Sequence, residues 1–244
     1  MFDIGQRVIF RREDGNKERG RITRILPRCR KVVTDSGHRV EVSVRRLRPS
    51  PDKVLILEGR LDRNLRSGRF YGPMLQQWLS AYGAEALYER VHSISDLRRF
   101  LGREGRDAAT RFIHITCHGK DLEGRGTARL SLTFEKVDLV RDCRIFEGLD
   151  GKVLIFSCCE IGRDRKAMRI IKESSGAAAV ISYRMSVRDS YANLSEVLLY
   201  DRLLDSRFSP IKAVEQVQSI LKDLNPIIGD ENYRFAKKPV LVCF

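Results

Sequence analysis

The sequence predicts an α/β protein in which a mainly parallel sheet, covered by helices on both faces, follows a small all-β unit. Two patterns predict this. Over residues 1–50, short runs rich in β-branched residues alternate with turn residues. From residue 53 onward, apolar strand-like runs alternate with stretches whose apolar residues recur at helical spacing, as in a parallel sheet buried on both sides. A chain of 244 residues, 42% hydrophobic and 32% charged, is long enough to bury such a core.

In chain order, "RVIFRR" (7–12), "RGRITRIL" (19–26), "KVVTDS" (31–36) and "RVEVSV" (39–44) read as strands. "EDGN" and "SGH" supply Asp-Gly and Ser-Gly turns between two of the pairs. Strands this short and closely spaced close best as a small barrel. Pro49 and Pro51 then mark a linker, dividing the chain into units 1–50 and 52–244. In the second unit the expected strands are "KVLILEG" (53–59), "ALYERVHS" (86–93), "RFIHITCHG" (111–119), "KVLIFSCC" (152–159), "AAAVISY" (177–183) and "PVLVCF" (239–244). Between them, Leu75, Trp78 and Leu79 share one helical face, and Leu97, Phe100 and Leu101 another. Leu194, Val197 and Leu198 form a third such group, and Val214, Val217, Leu221 and Leu224 a fourth. Ser209-Pro210 caps the last helix. "ARLSLTF" (128–134) alternates like one arm of an inserted β-hairpin.

No apolar run approaches the roughly 18 residues that span a bilayer, and the N-terminus carries no secretion signal, so a cytoplasmic protein without membrane contact is expected. The six cysteines are then thiols. No CxxC occurs, which leaves no zinc pattern, and no metal or organic cofactor is implied. The net charge of +14 is uneven: residues 1–50 hold 14 Lys/Arg and 6 Asp/Glu, or +8. That surface can meet nucleic acid or an acidic partner, or simply be solvated.

Ligands of open α/β sheets sit beyond the carboxyl ends of the strands. "FIHITCHG" delivers His118 and Gly119 there, and "VLIFSCC" delivers Cys159, 41 positions on (159 − 118). One strand-helix-strand crossover fits that interval, so an imidazole and a thiol can share a crevice. Such a pair is a nucleophile with its base. Gly119 lets backbone approach a substrate, and the amides there and at Cys159 can hold an oxyanion. Cys158 is then a small residue pointing to the other face. His114, four residues before His118, belongs deeper in the core.

These residues carry a resemblance. "FIHITCHG" followed by "KVLIFSCCEIG" resembles the paired signature of caspase-like cysteine peptidases of the CHAT type, which share the caspase/gingipain/separase-like fold. In that family one strand ends in His-Gly and the next in Ser-Ala-Cys-Glu-x-Gly. Ser157, Glu160 and Gly162 match, Cys158 takes the Ala place and Cys159 that of the nucleophile. "SSGAAAVISYRMSVRDS" is similar to the family's Gly-Ala strand with its following Asp, here Asp189, but has Tyr183-Arg184 where many members carry Leu-Trp. The resemblance covers residues 52–244, and residues 1–50 resemble an SH3-like barrel of the Tudor or KOW type. It implies a cysteine endopeptidase acting on a protein substrate, regulated by a partner or signal, in settings such as prokaryotic immunity or programmed cell death. Two substrate-binding residues are implied with opposite preferences. Arg66, in "NLRSGRFYG", would grip an acidic side chain, whereas Asp189 would favour Lys or Arg. A rival reading makes the chain a basic nucleic-acid or partner-binding module on an inactive caspase-like scaffold. A weaker one makes Cys158 and Cys159 a redox sensor.

Overall fold

The computed structural model describes residues 2, 4–61, 70–121, 128–205, 208–223 and 239–244. The first strands are β1 (Arg7–Arg11), β2 (Lys17–Ile25), β3 (Cys29–Thr34), β4 (Arg39–Ser43) and β5 (Arg48–Pro49). They form one antiparallel sheet in the order β4-β3-β2-β1-β5. Val8, Phe10, Ile22, Val32, Val42 and Leu47 make its own small core. Pro49, read from the sequence as linker, lies in β5 opposite Val8 of β1, an edge position where a missing N–H costs no ladder bond.

The α/β part begins with β6 (Lys53–Glu58), α1 (Gly72–Ala81), β7 (Glu85–Arg90), α2 (Ile94–Phe100) and β8 (Thr110–Thr116). Three short strands follow, β9 (His118–Lys120), β10 (Arg129–Ser131) and β11 (Lys136–Asp138). Then come β12 (Val153–Ser157), α3 (Arg165–Ser175), β13 (Ala179–Tyr183), α4 (Asp189–Leu203), α5 (Pro210–Ile220) and β14 (Leu241–Cys243). The main sheet has the order β14-β13-β12-β8-β6-β7, parallel except for the antiparallel edge β14. The protein is thus α/β, with an antiparallel sheet at its N-terminus and a mixed, mostly parallel sheet with helices.

Alternation along the strands sorts side chains onto two faces. Leu55, Leu57, Ile113, Ile115, Leu154 and Phe156 pack with α2 and α3. Val54, Ile56, Phe112, Val153, Ile155 and Ile181 pack with α1, α4 and α5. Every residue of β6 is buried, as a strand covered on both sides requires. Among the described residues, no helix is long and apolar enough to cross a membrane.

One expected strand is divided. Residues 111–119 read as a single run, but the chain leaves the main sheet after Thr116, and β9 instead pairs with β10, His118 opposite Ser131. "ARLSLTF" does supply one arm of a hairpin, β10 with β11, and β9 extends it to a three-stranded antiparallel sheet, β11-β10-β9. Apolar content made 111–119 continuous; hydrogen-bond partners, which the sequence does not carry, end it.

Candidate active site

Sheet order reverses between β6 and β8: β7 lies outside β6, while β8 and β12 follow on its other side. A cleft of 570 Å³ opens there, at the carboxyl ends of the strands. Its lining includes Leu61 after β6, Thr116 to Gly119 after β8, Ser157 and Cys159 after β12, and Ser186 to Asp189 after β13. His118 and Cys159 both line this one cavity.

Cys159 is held by a tight reversal. Glu160 adopts left-handed backbone (φ 67°), which costs a non-glycine residue about 1–2 kcal/mol. Two neighbours hold it there: the Glu160 amide donates to Met185 O (3.3 Å), and Ser186 Oγ donates to Glu160 Oε1 (2.7 Å). The Ile161 amide closes the turn onto Cys159 O at 2.8 Å. Gly119 packs directly over this turn. A Cβ there would strike the Cys159 carbonyl and lie 2.9 Å from Cys158 Cβ. Only glycine lets the chain beside His118 approach the Cys159 backbone so closely.

The His118 ring nitrogen Nε2 lies 3.0 Å from Leu61 O. A carbonyl only accepts, so Nε2 carries the proton, and in the neutral ring Nδ1 is the basic nitrogen. Burial pushes the Cys159 thiol above its ordinary value, opposed by the Val187 backbone amide and reinforced by Glu160. Cys159 therefore rests as a thiol. Among the described residues it makes no hydrogen bond to His118. Cys158 points to the opposite face, into the core with Phe156 and Ile161.

Behind the cleft lies a polar network that sequence reasoning did not single out. Glu196 of α4 is buried and accepts from Ser157 Oγ and from Tyr183 OH (3.3 Å). Burial raises its carboxyl to about 7, with both hydrogen bonds acting in the other direction. His114 Nε2 approaches Glu196 Oε2 at 3.4 Å, and Tyr200 OH meets its Nδ1 at 3.3 Å. Burial lowers His114 to about 3, so the ring is neutral and this approach is not an ion pair. His114 thus sits in the core, as its place in the strand suggested. The signal for Glu196 was a carboxylate amid Leu194, Val197, Leu198 and Leu199. A buried acid needs partners.

Asp189 lines the cleft at the first turn of α4 and accepts from Tyr71 OH at 2.9 Å. Tyr71 is placed by Glu58, which ends β6 and accepts from the Tyr71 amide at 2.8 Å and the Gly72 amide at 3.3 Å, capping α1. Arg66 lies outside the described residues. Among the described residues, no three His, Cys, Asp or Glu side chains gather as metal ligands do. Compared with protein-family models and with curated proteins, the chain matches none.

Proposed function

We infer that the chain is a cysteine endopeptidase, a caspase-like enzyme of the CHAT type preceded by an SH3-like barrel. The observation that carries this reading is that His118 and Cys159 line one cleft at a sheet switch point, with the His118 tautomer fixed by Leu61 O. In the proposed cycle His118 Nδ1 takes the thiol proton as Cys159 Sγ attacks a peptide carbonyl carbon. Amides at Gly119 and Cys159 hold the oxyanion. His118 returns the proton to the leaving amine, and water then hydrolyses the thioester. Because the resting thiol is protonated, His118 acts here as general base, and the step needs no preformed thiolate–imidazolium pair.

Asp189 lines the cleft at the first turn of α4, and its carboxylate would favour a basic residue before the scissile bond. The test is cleavage of a peptide library by the wild type, Cys159→Ala and Cys158→Ala. Cleavage after Lys or Arg, lost in Cys159→Ala and kept in Cys158→Ala, is the expected result. Undiminished cleavage by Cys159→Ala rejects the reading.

One observation favours the rival. Arg11, Lys17, Arg46 and Arg48 surround a single groove on the N-terminal sheet, a setting for a phosphate backbone or an acidic partner. On that reading the sheet binds and the α/β part serves as an inactive scaffold. Cleavage by the wild type separates the two.

A further inference from the structure

The same two strand ends carry a second pair of side chains. β8 and β12 are parallel neighbours in register, Thr116 opposite Ser157, so Cys117 and Cys158 are the next residues in line. Their sulfurs lie 3.5 Å apart, both buried on the face that packs with α2 and α3. Neighbouring strands run about 4.8 Å apart, inside the roughly 4.4–6.8 Å between α-carbons that a disulfide spans. Nothing bulky separates the thiols; Cys158 Sγ also reaches the Ile115 carbonyl at 3.5 Å. Cys159 is on the other face, packed against the core that includes Tyr183 and Tyr191. The arrangement therefore pairs Cys158 with Cys117 across the strands, and not with its sequence neighbour.

We propose that Cys117 and Cys158 are a dithiol that hydrogen peroxide converts to a disulfide, locking together the strand ends next to His118 and Cys159. Cys117 is one of the residues lining the cleft although its sulfur is buried, so a small oxidant has to pass between the strand ends to reach it. In the first step the Cys117 sulfur attacks peroxide, an S–O bond forms, the O–O bond breaks, and the thiol proton leaves with the departing oxygen as water. In the second, Cys158 sulfur attacks that sulfenic sulfur, the S–S bond forms, the S–O bond breaks, and the Cys158 proton leaves in a second water. The two thiols lose two electrons, and one peroxide is reduced to two waters. A dithiol reductant reverses the change. The pairing does not depend on the protease reading, because it is detected as a mass and not as activity.

The experiment treats the full chain with hydrogen peroxide, blocks remaining thiols with N-ethylmaleimide, and digests with trypsin. Residues 112–120 ("FIHITCHGK") and 153–163 ("VLIFSCCEIGR") then carry the two cysteines. The expected result is a joined pair of these peptides, two hydrogens lighter than their sum, with fragment ions assigning the link to Cys158. It persists in Cys159→Ala and reverts on reduction. A link assigned to Cys159, loss of the link in Cys159→Ala, or Cys117 and Cys158 still labelled while Cys159 is oxidised would each overturn the proposal. So would full labelling of both at peroxide doses that oxidise the methionines.

Discussion

Gly119 shows how a single missing atom positions the cleft. The chain bearing His118 passes so near Cys159 that any β-carbon meets the Cys159 carbonyl, and backbone cannot swing aside as a side chain can. Gly119→Ala is accordingly expected to abolish peptide cleavage and to lower stability by roughly 1–3 kcal/mol, read by urea denaturation. Wild-type cleavage together with an unchanged midpoint would mean the two segments are not in this contact. The residues that the sequence could offer here were those whose chemistry is visible in the letter: a His, a Cys and a Gly at strand ends. The Leu61 carbonyl that fixes the His118 tautomer is backbone, so no residue type could announce it. The left-handed turn at Glu160 was equally silent, because a glutamate is the wrong letter for it.

Helix α4 meets β8 and β12 through Glu196 and His114, and the two groups pull the pH dependence of stability in opposite directions. Glu196 is raised from 4.5 to about 7, so between those values the folded chain keeps a proton the unfolded chain has lost. Its contribution is complete below 4.5 and is lost as pH rises through 7. His114 is lowered from 6.5 to about 3, so over that interval the unfolded chain binds a proton the folded chain refuses. Its contribution is present above 6.5 and lost as pH falls towards 3. Between 4.5 and 6.5 the two cancel. Glu196→Gln removes one arm and keeps the hydrogen bonds to Ser157 and Tyr183 within reach. Relative to wild type, this variant should lose stability on acidification across that interval at about 1.4 kcal/mol per pH unit. Urea midpoints at several pH values measure it, and parallel curves for the two proteins would refute the pairing. The main-sheet strands and helices α1, α2, α4 and α5 were legible from apolar spacing, since burial on two faces writes itself into β6, β8 and β12, whereas α3 was not singled out. The break at Cys117 was not, because β9 is defined by its partner β10 rather than by its own residues.

At the scale of the molecule, the basic N-terminal sheet is tied to the α/β part through one carboxylate. Asp52 accepts from Arg21 Nη2 of β2 at 2.7 Å and from Arg111 Nη1 of β8 at 2.9 Å. Arg7 of β1 adds a bond from Nη1 to the Ala108 carbonyl at 3.1 Å. From sequence, Asp52 was only the residue after Pro51; its role needs two arginines brought from 31 and 59 positions away. Residues 1–50 contribute +8 of the net +14, so a carboxylate shared between two guanidiniums also offsets repulsion where the sheets meet. Asp52→Ala leaves Arg21 and Arg111 facing each other without it. The expected cost is about 1.5–3 kcal/mol, the range for hydrogen bonds to charged groups, and it should fall on the attachment of the N-terminal sheet. Hydrogen exchange reads this directly: amides of β1 and β2 should exchange faster in Asp52→Ala, while those of β12 keep their protection. Raising salt should narrow the difference, because it screens the two half-buried arginines left bare. Equal acceleration in β2 and β12 would mean that Asp52 supports the whole fold and not this junction.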